Sequence, residues 1–227
     1  FRWLYFTAND GTNGTELWKS DGTASGTVMV KDINSGSGSG SPSFLTAIGS
    51  TLYFQANDGT NGIELWKSDG TASGTVMVKD IYSGSDNSDP SYLTAVGNTL
   101  YFRADDGTNG YELWKSDGTS SGTVMVKDIN SGSDIGYPNY LTAIDGTLYF
   151  SADNGVNGTE LWKSDGTATG TVMVKDIYGG SSDSSPLYFT AVGSTFYFTA
   201  NDPTNGRELW KSDGTASGTV MVKDINS

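Results

Sequence analysis

The 227 residues include neither Cys nor His, which removes the thiol nucleophile, the imidazole base, the disulfide framework and the usual zinc and haem ligands together. What remains for chemistry is oxygen and aromatic rings. Hard oxygen donors cluster at Asn9-Asp10 and its counterparts, so Asp10, Asp58, Asp106, Asp153 and Asp202 are the candidate calcium ligands. Calcium takes about six to eight oxygens, and the Asp-x-Asp-x-Asp-Gly spacing of an EF-hand is absent. A single Asp capping its own turn accounts for the same residues. The expectation is no cofactor, with calcium as the alternative. Acid/base catalysis needs two carboxylates in different environments, whereas the acidic residues here recur in equivalent ones. The chain is therefore expected not to be an enzyme.

That recurrence fixes the organisation. The run Glu-Leu-Trp-Lys-Ser-Asp-Gly-Thr begins at Glu16, Glu64, Glu112, Glu160 and Glu208, an interval of 48 residues with no insertion. All five Glu, all five Met, all ten Lys and five of the six Trp fall into this register, the mark of an internal repeat. The units are 1–35, 36–83, 84–131, 132–179 and 180–227. In the second unit four segments read as strands: A, Phe44 to Ile48; B, Thr51 to Ala56; C, Glu64 to Ser68; D, Thr75 to Ile81. Each is rich in aromatic and β-branched residues and bounded by Gly, Asn, Asp and Ser.

The turns are short enough to be hairpins, giving an antiparallel meander. Pro203 stands where Gly59 stands in the second copy. Because proline fixes φ near −65°, that position is expected to need no left-handed residue, and Gly62 of Asn61-Gly62 is expected to supply it. Both strand faces are apolar, so each sheet needs a neighbour on each side. Four-stranded units of this length, stacked face to face, predict an all-β fold, a β-propeller of five four-stranded antiparallel blades. Trp18, Trp66, Trp114, Trp162 and Trp210 then belong between blades, with the Met residues as core filler. The Glu16 series is expected to pair with a neighbouring Lys rather than accept backbone amides.

The repeat resembles the bacterial ELWxxDGT-repeat family, whose long signature is matched by Thr51 through Ile81 and by the other four copies. The resemblance covers nearly the whole chain. It implies large secreted or surface-attached proteins with propeller-like domains, hence an extracellular or cell-surface location, and it implies no defined reaction.

Five full units take 240 residues, thirteen more than the chain has. The absent piece corresponds to Gly36 through Ile48, so the first blade is expected to lack its innermost strand. A five-bladed ring with one short blade, an excerpt of a longer array and an incompletely observed chain all fit. The start, Phe1-Arg2-Trp3, is also not a clean repeat boundary.

Differences between copies gather on the side of the B–C hairpins and D–A connections. After Asn-Gly come Thr15, Ile63, Tyr111, Thr159 and Arg207; near the end of B come Thr7, Gln55, Arg103, Ser151 and Thr199; after Asp-Ile come Asn34, Tyr82, Asn130, Tyr178 and Asn226. Tyr82, Tyr111, Tyr137, Tyr178, Arg103 and Arg207 are the candidate ligand-binding residues, since Tyr offers a rigid ring with a polar tip and binding residues favour loops on rigid scaffolds. Drift in exposed loops is the competing explanation. The expected function is a non-catalytic binding or adhesion module, lectin-like, meeting glycan or a surface protein. A structural repeat with no small ligand is the alternative. Acidic residues outnumber basic ones 26 to 13, which disfavours nucleic acid, and no apolar run approaches the ~18 residues of a membrane helix.

Overall fold

The computed structural model describes residues 3–225 and contains nineteen strands and no helix among them. The irregular start at Phe1 and Arg2, and Asn226 of the alternating Asn/Tyr series, lie outside the described residues. The chain divides into two compact units, Phe1–Thr108 with Ser116–Val124, and Asn109–Lys115 with Met125–Ser227. The division falls inside the third repeat.

The first unit contains β1 (Leu4–Asn9), β2 (Thr15–Ser20) and β3 (Val28–Lys31), then β4 (Ser43–Ile48), β5 (Thr51–Asn57), β6 (Ile63–Ser68) and β7 (Val76–Lys79), then β8 (Ser91–Val96) and β9 (Thr99–Asp105). The second holds β10 (Tyr111–Ser116) and β11 (Val124–Lys127), each of which gives one residue to the first unit. It continues with β12 (Asn139–Ile144), β13 (Thr147–Asp153), β14 (Thr159–Ser164) and β15 (Val172–Lys175), then β16 (Leu187–Val192), β17 (Thr195–Asp202), β18 (Gly206–Ser212) and β19 (Val220–Lys223). Sheet orders β4-β5-β6-β7, β12-β13-β14-β15 and β16-β17-β18-β19 are plain meanders, and the first sheet is three-stranded, β1-β2-β3. Segments A to D are thus strands, and the first repeat lacks its A strand among the described residues. Segment D stops at Lys79, short of Ile81.

Both faces of β5 are covered. Leu52, Tyr53 and Phe54 alternate across β5 and all are buried. Leu17, Val30 and Ile33 of the first repeat form one core with Leu52, Phe54, Ala56 and Trp66 of the second, and Met77 packs against it. In the second unit Leu161, Val174 and Ile177 meet Phe196, Phe198, Ala200 and Trp210 in the same way, with Met221 alongside. Trp66 and Trp210 therefore lie between successive sheets, as expected. Lysines tie the same neighbours together: Lys31 Nζ donates to the Thr75 carbonyl at 2.8 Å and lies 5.6 Å from the Trp66 ring centre, and Lys19 Nζ donates to Gly70 O at 2.8 Å.

Two expectations are corrected. Among the described residues the Glu side chains accept backbone amides instead of pairing with Lys. Glu64 is wholly buried and accepts hydrogen bonds from the amides of Ile81 (2.8 Å), Tyr82 (3.4 Å) and Ser88 (3.2 Å) and from Ser88 Oγ (2.6 Å). The chain leaves strand D at Asp80, and the freed amides need an acceptor where no strand supplies one. The first glycine of the hairpin is also left-handed after all: φ is 82° at Gly11 and 80° at Gly59. Its amide donates to the preceding Asn side chain, Gly11 to Asn9 Oδ1 and Gly59 to Asn57 Oδ1, both at 2.7 Å. Pro203 has neither the N–H nor the φ for this, so the fifth hairpin is rebuilt, with β17 and β18 extended until Asp202 pairs with Gly206.

Candidate functional site

Each A strand carries a β-bulge at one place. In β4–β5 the pairing passes from Ser43↔Gln55 to Thr46↔Tyr53, which leaves Phe44 and Leu45 opposite a single residue; β8, β12 and β16 shift at the equivalent step. The bulge puts an aromatic residue in the left-handed region, with φ of 56° at Phe44 and Tyr92, 57° at Tyr140 and 61° at Tyr188. Such a conformation costs a bulky L residue about 1–3 kcal/mol. The following threonine braces it: Thr46, Thr94 and Thr142 Oγ1 donate to the carbonyls of Phe44, Tyr92 and Tyr140 at 3.0, 2.9 and 2.8 Å. The residue between them turns into the core, as Leu93 and Leu141 do. A bulge thus aims the aromatic outward while its neighbour stays buried: Phe44 is 48 % exposed, Tyr140 40 % and Tyr188 73 %.

Beside these rings lie some of the residues that differ between copies. Arg103 Nε donates to Ser91 Oγ at 3.2 Å, and its guanidinium sits 5.0 Å from the Tyr92 ring centre. Arg207 holds the Ser185 carbonyl at 3.1 Å and Thr199 Oγ1 at 3.2 Å. Tyr111 and Tyr137 are brought together: their rings stack at 6.0 Å and 20°, and the Tyr137 amide donates to the Tyr111 carbonyl at 3.2 Å. That backbone bond is general, since Ser41, Asp89 and Ser185 make it to Thr15, Ile63 and Thr159. Each D–A loop is therefore laid on the hairpin of the preceding repeat.

Tyr82 does something else. Its ring covers Gly107 of the next hairpin so closely that a Cβ there would collide with it, which makes it a packing residue, as Asn34 is over Gly59. Tyr178 is half-buried, and its amide is fixed by Glu160 at 3.4 Å. These two are not gathered with the other candidates.

The aspartates are engaged in turns. Asp10 Oδ1 accepts the amides of Thr12 and Asn13 at 2.8 Å, and Asp58 and Asp202 repeat the pattern. Asp106 accepts Thr108 N at 2.9 Å. Asp153 occupies the preceding position, accepting Gly155 N at 2.8 Å, while Asn154 takes the capping role. These bonds hold the Asp10 carboxyl below the usual range, and at Asp58, where burial pushes the carboxyl up, the same bonds together outweigh it and bring it below that range. No group of three or more His, Cys, Asp or Glu suited to a metal occurs among the described residues. Two equivalent clefts of about 250 and 300 Å³ open on the other side, beside the C–D turns, lined by Lys67, Asp69 and Val76 and by Tyr149, Lys163 and Asp165.

The bulged aromatics escaped the sequence reading. Their signal is an aromatic directly before Leu-Thr or Phe-Thr in every A segment, which also reads as ordinary strand composition.

No protein-family model matches the chain, and no curated protein matches it in sequence. Solved structures share its fold. A puromycin hydrolase S511A mutant complexed with PGG is similar over 99 % of this chain and 36 % of its own, at 14 % identity and a TM-score of 0.59. A chain from a study of two prolyl endopeptidases matches 96 % of this chain and 32 % of its own, at 12 % identity and 0.56. The acylaminoacyl peptidase of Pyrococcus horikoshii matches 94 % and 31 %, at 11 % identity and 0.52. The chain thus spans about a third of the length of these proteins, and at such identity the likeness is one of fold.

Proposed function

We propose that the chain is a non-catalytic, propeller-type binding module of the ELWxxDGT-repeat kind, secreted or displayed at a cell surface, whose A-strand aromatics stack on the sugars of an extended glycan. The observation that supports this reading is the same costly feature repeated four times: an aromatic held at positive φ by a bulge and braced by a threonine. Backbone strain of this kind clusters at ligand sites. A flat ring presented from a rigid sheet suits the apolar face of a pyranose. One weak contact per repeat, spaced at a fixed interval, gains from avidity on a repetitive polymer. The peptidase resemblance is of fold alone, and a sequence without Cys or His leaves the commonest nucleophile–base pairs unavailable.

Titration against a panel of extracellular polysaccharides tests this, comparing the wild-type chain with a Tyr140→Ala/Tyr188→Ala variant, both sites being exposed. Wild type is expected to bind at least one polysaccharide, and the variant to bind it about ten-fold or more weakly. Binding to none, or binding indifferent to both tyrosines, would assign the chain to the structural-repeat class.

A further inference from the structure

Between β8 and β9 the bulge opens at the pair Ser91↔Arg103 and closes at Thr94↔Tyr101, with Tyr92 as its left-handed aromatic. The cross-strand residue at the opening pair differs from copy to copy. Gln55 faces Ser43, Arg103 faces Ser91, Ser151 faces Asn139 and Thr199 faces Leu187. In the first two cases the bond made is the same one: Gln55 Nε2 donates to Ser43 Oγ at 2.7 Å, and Arg103 Nε donates to Ser91 Oγ at 3.2 Å. A neutral amide therefore suffices to hold the bulge serine, and the positive charge of Arg103 is not something the bulge requires.

The fifth copy brings a guanidinium to the same corner from another strand. Thr199 stands where Arg103 stands in the third copy, and Arg207 of β18 donates to Thr199 Oγ1 at 3.2 Å and to the Ser185 carbonyl at 3.1 Å. Two of the three Arg in the chain thus end at a bulge corner, one reaching it along β9 and the other from β18. The lysines serve elsewhere: eight of the ten, from Lys19 to Lys175, donate to a carbonyl of the next repeat. Arginine differs from lysine in meeting a carboxylate as a planar fork, with two parallel hydrogen bonds. It also stacks on aromatic faces, which orients that fork. Arg103 lies over Tyr92 in this way, its central carbon 5.0 Å from the ring centre.

We infer that the bulge corners at Tyr92 and Tyr188 select an acidic sugar, a uronic acid whose carboxylate pairs with Arg103 or Arg207 while the sugar rests against the tyrosine. The inference rests on the glycan reading above and narrows its ligand class. In the first unit it also sets an order. Phe44 and Tyr92 stand on neighbouring A strands, joined where Thr46 Oγ1 donates to the Leu93 carbonyl at 3.2 Å, and the bulge at Phe44 carries the neutral Gln55. A neutral sugar at Phe44 next to a uronate at Tyr92 describes a mixed polymer. A polymer charged at every ring would instead be repelled by a chain of net charge −13, since like-signed fields oppose association.

The test measures affinity for a panel of uronate-containing extracellular polysaccharides, each in its native form and after carboxyl reduction, which converts the carboxylate into a primary alcohol and leaves rings and linkages in place. The wild-type chain is expected to bind at least one native form about ten-fold more tightly than its reduced counterpart. In Arg103→Gln/Arg207→Thr each replacement is the residue another copy carries at that place, Gln55 and Thr159, and the preference should disappear. Gln55→Arg builds the same corner at Phe44 and should widen it. Equal affinity for the two forms, or a preference that survives the double variant, would overturn the inference and leave the glycan reading standing. Binding to neither form of any polysaccharide would remove both. Should the double variant fail to fold, Gln55→Arg decides, because a preference it does not widen counts against the assignment.

Discussion

Tyr188 stands 73 % exposed at a φ of 61°, so its ring gains little from burial while its backbone sits where a Cβ is penalised by about 1–2 kcal/mol. That arrangement predicts an inversion of the usual substitution order. Tyr188→Gly should be more stable than Tyr188→Ala by about 1 kcal/mol, because glycine relieves the strain and alanine keeps it. Urea denaturation of the two variants checks this; equal midpoints, or alanine the more stable, would mean the bulge relaxes without cost. At this scale the sequence was a partial guide. Trp66, Trp210, Met77 and Met221 pack where their types and spacing put them, and Asp10, Asp58 and Asp202 cap their turns. The glutamate series is not, because charge pattern says nothing about where a strand ends and orphaned amides need an acceptor. The bulged tyrosines were invisible for a related reason, since composition reports strand propensity and a bulge is a property of pairing.

Hairpins and loops are the elements that carry differences between repeats, and two glycines show how tightly they are built. Gly62 has φ of 73°, and a Cβ on it would run into the Asp86 carbonyl of the D–A loop; Gly11 has φ of 82° but open space around it. Gly11→Ala should therefore cost only the backbone strain, about 1–2 kcal/mol. Gly62→Ala should cost that plus a further 1–3 kcal/mol for pushing the loop off the hairpin. Thermal or urea unfolding of the pair tests the difference, and equal losses would show that the loop yields freely. Strand order and hairpin connectivity were legible from the period and the turn residues. The inference drawn from Pro203 fails, because one repeat with a rebuilt hairpin does not describe the four that use an Asn or Asp side chain to hold a left-handed glycine.

Across the molecule, each repeat is fastened to the next by parts that recur with it. Lysine hooks reach from Lys67 to Gly118 O at 2.8 Å and from Lys163 to Gly214 O at 2.9 Å, and the buried glutamates hold the loops that lead into the next sheet. Two of them, Glu64 and Glu112, make the fold sensitive to pH in an unusual direction. Burial raises the Glu64 and Glu112 carboxyls from 4.5 to about 7, against hydrogen bonds that pull them down. A carboxyl whose folded value lies above its unfolded one contributes stability that is complete below the unfolded value and is lost as pH rises through the folded one. The relevant window runs from about 4.5 to about 7, and each unit of difference is worth about 1.4 kcal/mol. The turn aspartates act oppositely: Asp21, Asp69 and Asp117 are held low, chiefly by the hydroxyls of Thr23, Thr71 and Thr119. Their contribution is present above about 3.8 and disappears as pH falls below it. Protonation in the upper window also lowers self-repulsion in a chain of net charge −13,. The melting temperature should therefore rise as pH is lowered from 8 to about 5 and fall again below about 3.5. In a Glu64→Gln/Glu112→Gln variant the melting temperature is lower throughout, because each amide NH₂ faces a backbone donor, and the slope between pH 5 and 8 should flatten. A wild-type melting temperature that climbs from pH 5 to 8, or a variant with the wild-type slope, would show that these two carboxyls do not set the profile.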